Sequence, residues 1–317
     1  MIRFLARRII TLLVALVAIS IVIFLLLRVL PGDLALVMAG VNAPASRVEA
    51  LRTQLGLDEP LGMQYLHWLG SLLHGDLGAS QLTGRPVASL VATRAAITFP
   101  LIGLGLLVAL VVGIPLGCAA VLARSRRVRA VFQTIAVIGG AVPALWAGLV
   151  LIVLFAKGSG LLPLFPSQGF PLNAWHNPGA AFMSLILPAL TVGLIVGASI
   201  MRYTRSALAE QMQSDVIAMA MACGYTRTQA VLHVGLRLAL PQLVSVIGLT
   251  FAEMITGVMV IENLFALPGI GTGLINDVGH RDLLAVQGEL FMLAAFFLVI
   301  GLLVDVTHRV LDPRLKG

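Results

Sequence analysis

Long uncharged apolar stretches, separated by short clusters of arginine, dominate the chain. A membrane crossing needs about 20 mostly apolar residues. Six stretches qualify: residues 9–30, a stretch within 95–123, 130–156, 180–201, 238–261 and 284–307. The pattern predicts an all-α integral membrane protein of about six transmembrane helices. Pro100, Pro115, Pro143, Pro188 and Pro241 fall inside these stretches. In a helix bundle, neighbouring groups re-satisfy the carbonyls that proline frees, so all five are expected within continuous spans. Gly113 and Gly117 form a small-xxx-small pair that permits close helix contact.

Two intervening segments are too long to be connectors. Residues 31–94 carry helical patterns at 47–55 and 64–73, expected as a small extracytoplasmic cap. Residues 202–237 alternate polar and apolar positions at helical spacing. There, 207–221 contains no Gly or Pro and reads as one helix. Gly224 breaks it, and a second helix resumes over 226–236 with Thr226 as N-cap. The predicted organisation is thus an N-terminal tail and first span (1–30), an extracytoplasmic segment (31–94), and a five-helix core (95–317) that includes the loop 202–237.

Orientation follows from the basic residues. With the N-terminus inside, the inner segments hold fourteen: Arg3, Arg7, Arg8, Arg124, Arg126, Arg127, Arg129, Arg202, Arg205, Arg227, Arg237, Arg309, Arg314 and Lys316. The outer segments hold seven: Arg28, Arg47, Arg52, Arg85, Arg94, Lys157 and Arg281. Both termini are therefore expected in the cytoplasm.

Composition agrees. The chain is 59% hydrophobic and 11% charged, against roughly 25% charged in a soluble domain. The net charge of +7 lies in clusters between apolar runs, not on one polar face, so it reads as a topology signal and not as a nucleic-acid surface. Arg3, Arg7 and Arg8 precede an uncharged run of 19 residues, Ile9 to Leu27. A signal peptide's apolar region has about 7–15, so a retained first span is expected. Cys118 and Cys223 lie in an apolar run and a polar loop, and no disulfide is expected between them.

Candidate chemistry is sparse. A P-loop needs Gly-Lys-Ser/Thr, and the two lysines, Lys157 and Lys316, follow Ala156 and Leu315. The chain is therefore not expected to hydrolyse ATP alone, nor to hold a cofactor. An ion-coupled carrier places ionisable residues at mid-membrane. Here Glu253 alone stands in the middle of a span, as a pore or interface carboxylate, while Glu289 and Asp305 lie near the ends of the sixth. No two of the six histidines are spaced i,i+3 or i,i+4, which removes an HExxH metal site. The run Pro268–Gly273 is glycine-rich but follows a membrane helix, so it reads as a tight outer turn or re-entrant bend and not as a phosphate cradle.

The inner segment from Asp215 to Tyr225 reads DVIAMAMACGY, and Pro241 follows Gly224 by 17 positions. This resembles the cytoplasmic coupling loop of ABC importer permeases, in the dipeptide/oligopeptide/nickel branch. Other stretches resemble the same family in order: Arg7-Arg8, Leu27 to Asp33, Leu55 to Leu61, Gln64-Tyr65, Gly75 to Ser80, Thr83 to Val87, Ile261 to Gly269 and Leu311 to Arg314. Ala218, Met221 and Cys223 stand where members often carry basic residues, Leu34 where proline is common and Leu267 where tryptophan is common. The resemblance implies a type I ABC importer fold, with ATPase coupling through Asp215, Ala218, Ala220, Ala222, Gly224, Tyr225, Arg227 and Pro241. It also implies a second homologous permease, two ATP-binding subunits that hold ATP and magnesium, and an extracytoplasmic solute-binding protein, all at a bacterial or archaeal cytoplasmic membrane. Small Ala220 and Ala222 would allow close approach, and Gly224 would let the chain reverse. Peptides are the implied cargo. The rival readings are a nickel or metallophore permease of the same branch, and a secondary carrier or channel without ATPase subunits.

Overall fold

The computed structural model describes residues 2–29, 34–40, 43–54, 56–158 and 160–311. Of the motif residues above, Leu30 to Asp33, Leu55 and Asp312 to Arg314 lie outside them, as does Lys316. Regular structure among the described residues is helical, apart from isolated bridges at Ala79–Pro86 and Ala156–Phe165. In chain order the helices are α1 (Ile2–Val29), α2 (Leu34–Ala39), α3 (Ala45–Gln54), α4 (Leu61–Leu73), α5 (Val87–Leu122), α6 (Arg126–Ala141) and α7 (Ala144–Phe155). There follow α8 (Pro178–Gln211), α9 (Asp215–Ala222), α10 (Arg227–Gln229), α11 (Leu236–Leu264), α12 (Ile270–Gly279) and α13 (Leu283–Leu311). A π-helical turn, Ala230–Gly235, joins α10 to α11.

Among the described residues, five stretches are long and apolar enough to cross a bilayer: α1, α5, α8, the continuous Arg227–Leu264, and α13. The third expected span differs from the sequence reading. Residues 130–156 form no single helix, because α6 and α7 meet at 105°. The cause is local. Gly139 and Gly140 weaken the end of α6. Val142 precedes a proline, which disfavours helical backbone at that residue, and it is extended at φ −70°, ψ 125°. Pro143 then serves as N-cap of α7. The other four prolines stay inside their helices, as expected. A second difference lies in 207–221, where α8 stops at Gln211 and α9 starts at Asp215. Ser214 is extended there, at ψ 147°, and its hydroxyl donates back to the Gln211 carbonyl (2.7 Å).

By their internal contacts the residues divide into two units. The first comprises Ile97–Thr272 and the stretch from Ile300 onward. Its centre is α8, packed by α6, α7 and α11. In a bilayer, helix association rests on close packing more than on a hydrophobic drive, and small residues make the approach possible. A Cβ on Gly113 would lie 2.7 Å from the Gly197 carbonyl oxygen, and one on Gly117 would lie 2.6 Å from Thr204 Cβ. The pair therefore sets the contact between α5 and α8. Asn177 caps α8, its Oδ1 accepting from Ala180 N–H (3.3 Å), with Pro178 in the first turn.

The second unit comprises Ile2–Ala96 and Gly273–Val299. There α1 and α4 meet through aromatic side chains. Phe24 stacks on Trp68 and lies edge-on to Tyr65, and the Tyr65 hydroxyl is 2.8 Å from Ser20 Oγ. Val87, Val91 and Ala285 form a buried cluster with Leu77, Leu284 and Met292. Asp282 ties the segment before α5 to the start of α13: Ser80 Oγ donates to its Oδ2 (2.5 Å), and Ala285 N–H donates to its Oδ1 (3.3 Å).

Candidate functional site

The inner segment forms a helix, a turn and a second helix, each built by identifiable local bonds. Asp215 stands in the first turn of α9, where a carboxylate complements the helix dipole. At the other end Tyr225 N–H donates to the Ala220 carbonyl (3.2 Å) and Gly224 N–H to that of Met221 (3.0 Å). These are the two bonds of a Schellman motif, whose closing residue must be left-handed. Gly224 supplies it, at φ +95°. Thr226 then starts the next helix through a capping box. Gln229 N–H donates to Thr226 Oγ1 (3.3 Å), and Thr226 N–H donates to Gln229 Oε1 (2.9 Å).

One side chain fixes α9 to the protein. Ile217 is fully buried. Its Cδ1 lies 3.6 Å from where a Cβ on Gly235 would sit, and Leu208 of α8 is equally near. Around that anchor the helix and its turn leave apolar side chains open: Met219 is 71% exposed, and Val216, Met221 and Tyr225 are exposed as well. Asp215, Ala218, Ala222 and Gly224 are exposed and Ala220 is half-buried. Arg227 is exposed too, but its Nη2 reaches back to donate to the Val121 carbonyl at the end of α5 (3.3 Å). Seven of the eight residues assigned to coupling thus lie on or beside one short surface. Pro241 stands apart, half-buried inside α11. Glu253 is exposed farther along α11, about 18 Å beyond Pro241 at 1.5 Å per residue.

The residues that sequence reasoning passed over form two buried carboxylate clusters. In the first unit Glu262 is fully buried. It accepts from Thr98 Oγ1 (2.5 Å), Gly271 N–H (2.8 Å) and Thr272 N–H (3.2 Å), and Ile270 N–H donates to Thr98 Oγ1 (2.8 Å). The glycine-rich run is therefore an anion cradle, at the start of α12, and its anion is internal. Gly269 leaves the space the carboxylate fills: a Cβ there would lie 2.6 Å from Glu262 Oε2 and closer still to Oε1. We expect Gly269→Ala to destabilise the protein by about 1–3 kcal/mol, the range for overpacking. Gly279→Ala, where nothing lies within 4 Å, should be neutral. Thermal unfolding of both in detergent is the check, and equal midpoints would remove the steric role of Gly269.

In the second unit Arg94 faces two carboxylates. Its Nη1 donates to Asp277 Oδ2 (2.5 Å) and to Glu289 Oε1, and its Nη2 lies 3.5 Å from Asp277 Oδ1. Asp277 and Glu289 are buried, and Glu289 Oε2 has no hydrogen-bond partner. Gly273 gives the guanidinium room, since a Cβ there would lie 2.6 Å from Arg94 Cζ. The sequence held one signal: an arginine opening one apolar run and a glutamate early in another, charges that must pair to enter a membrane.

Comparison with known proteins places the chain in a family. Residues 109–317 match the family of the binding-protein-dependent transport system inner membrane component, and residues 1–99 match the family of its N-terminal part. The protein y4tP of Sinorhizobium fredii, named as a probable peptide ABC transporter permease protein, is 35% identical over 315 residues, covering 99% of each chain. GsiC of Escherichia coli strain K12, a glutathione transport system permease protein, is 34% identical over 316 residues, covering 100% of this chain and 99% of that one. Among solved structures, an inward-facing conformation of the MetNI methionine ABC transporter has a TM-score of 0.56 at 19% identity, over 70% of this chain and 96% of that one; that likeness is one of fold. The chain belongs to the family of binding-protein-dependent transport system inner membrane components, and it is a multi-pass ABC importer permease of the inner membrane.

Proposed function

We propose that this permease carries short peptides inward as one of two homologous membrane subunits, driven by two ATP-hydrolysing subunits that dock on α9 and the Gly224 turn. The observation that carries the reading is the set of exposed apolar side chains on α9 and its turn. Val216, Met219, Met221 and Tyr225 stand exposed around a helix anchored by one buried side chain, on the side that the arginine distribution assigns to the cytoplasm. An apolar patch facing water calls for a protein partner. A short helix seated in that partner transmits its rigid-body movement to the spans on either side, α8 and α11.

ATP and magnesium belong to the partner subunits, because neither lysine of this chain stands in a Gly-Lys-Ser/Thr sequence. An extracytoplasmic binding protein delivers the cargo. Peptide cargo is supported by the names of the two relatives, one a peptide and one a glutathione permease; neither name mentions nickel. Glu253 is a pore or interface carboxylate: such a group exposed midway along a span is costly against lipid, so it faces water or the second permease.

The test is reconstitution. With its ATPase subunits, partner permease and binding protein in liposomes, the chain should accumulate labelled di- and oligopeptides only when ATP is supplied. The purified chain alone should show no ATP turnover. Uptake without ATPase subunits would assign it to the carriers instead.

A further inference from the structure

We infer that the inner face of the first unit carries a binding site for an anionic phospholipid, with the phosphate held by Arg129, Arg205 and Arg227 and an acyl chain in the adjoining apolar cavity. This rests on the membrane orientation, not on the identity of the cargo. The three arginines come from three separate helices, α6, α8 and α10, and line one cavity of about 210 Å³. No carboxylate lines that cavity. Among the described residues, none of the three lies in an ion pair with an acidic side chain.

Their partners inside the chain are neutral. Arg129 Nη2 donates to the Ala123 carbonyl (3.2 Å) and Arg227 Nη2 to the Val121 carbonyl (3.3 Å). Arg205 donates through Nη1 (3.1 Å) and Nη2 (2.7 Å) to the Gln133 amide oxygen, in the amide orientation that satisfies both groups. A guanidinium has five donors in a planar fork, so each arginine keeps most of its donors and its full charge for something else.

The local electrostatics call for an anion as well. Arg126, Arg127 and Arg129 crowd the N-terminal end of α6, whose first turn has no acidic residue. A helix N-terminus carries partial positive charge and favours anions, so this end is doubly positive. A phosphate is the group that matches such a fork geometry.

The second cavity decides the rest of the ligand. It measures about 280 Å³ and is lined by Phe132, Ala136, Val137 and Met201 together with Gln133, Arg202 and Arg205, of which Arg205 also lines the first. A charged cavity joined through Arg205 to one with four apolar side chains and a second arginine at its wall fits an amphiphile, with its headgroup at the arginines and its hydrocarbon alongside. Free phosphate has no use for the apolar half. Val137, which lines this cavity, is also 63% exposed, so the cavity opens to the surroundings of α6, and the inner leaflet is where basic clusters between helices take anionic headgroups.

The test is native mass spectrometry of the delipidated full-length protein titrated with phosphatidylglycerol, phosphatidylcholine or inorganic phosphate. Phosphatidylglycerol should bind best. Removing one arginine should weaken it about fivefold, so Arg129→Gln, Arg205→Gln and Arg227→Gln together should weaken it about a hundredfold. Arg237→Gln, outside both cavities, should leave binding unchanged. Should the triple variant fail to fold, Val137→Trp is the second variant. It fills the apolar cavity from an exposed position and should weaken phosphatidylglycerol severalfold. Equal binding of phosphatidylcholine, or parental affinity in the variants, would overturn the proposal. Competition by inorganic phosphate at matching concentration would reduce the site to a free-anion site. Expulsion of the lipid on adding the ATPase subunits would give the arginines to that interface instead.

Discussion

Gly224→Val should weaken coupling about tenfold or more while leaving the protein folded. The residue is at φ +95° in the turn that closes α9, and nothing lies within 4 Å of a Cβ built there. The cost is thus conformational: a β-branched side chain in left-handed backbone costs about 1–2 kcal/mol. That is enough to shift the turn, yet small against the packing of α8 and α11, and the site lies outside every membrane-crossing helix. Expression and membrane insertion should stay near parental levels, while peptide uptake by the reconstituted importer falls by about tenfold or more. Ala222→Asp, on the same exposed surface, should act alike by burying an unpaired charge when the ATPase docks. Ala79→Val, at an exposed position in the segment expected outside the membrane, is the control. If both inner variants transport like the parent with ATPase subunits bound normally, the α9 turn is not the coupling element.

Arg94→Leu should have the largest effect on stability. Asp277 and Glu289 are 5% and 0% exposed at their side chains, and the substitution leaves both without their cation. Breaking a buried charge pair by removing one partner costs about 3–5 kcal/mol. The companion change, Glu289→Gln, should cost far less. One guanidinium cannot neutralise two carboxylates, and Arg94 keeps Asp277 when Glu289 loses its charge. Thermal unfolding of the two variants in the same detergent separates them. Similar losses in both would mean that shape, not charge balance, governs this cluster.

The spans were legible in the sequence because bilayer thickness fixes their length, and uncharged runs of that length stand out whatever their packing. The Schellman turn was legible in part, since Gly224 divides two helical patterns and Thr226 invites a cap. Ile217 was not. It is one apolar residue among seven in the eight-residue α9, and only the packing of Leu208 and Gly235 marks it as the inward one. The carboxylate clusters escaped for a similar reason. Glu262 meets Thr98 across 164 positions and Glu289 meets Arg94 across 195, and no local pattern encodes such distances. The glycine-rich run was expected to form a tight outer turn or re-entrant bend, and the carboxylate that its amides bind, nine residues upstream in the same chain, was out of view. The break at Pro143 was missed because its four fellow prolines continue their helices.

That break has a consequence for the solvent around it. Where α6 stops and α7 begins, the last carbonyls of one helix and the first amide groups of the other have no partners within their own helix. Hydrocarbon offers them none, at several kcal/mol for each group left bare. Ala141 and Pro143 are exposed on the chain's own surface. This corner is therefore unlike the apolar run of α7 that follows it, which lipid can cover. It needs either hydration or hydrogen-bonding groups from a neighbouring subunit, and it places a polar spot on an otherwise greasy wall.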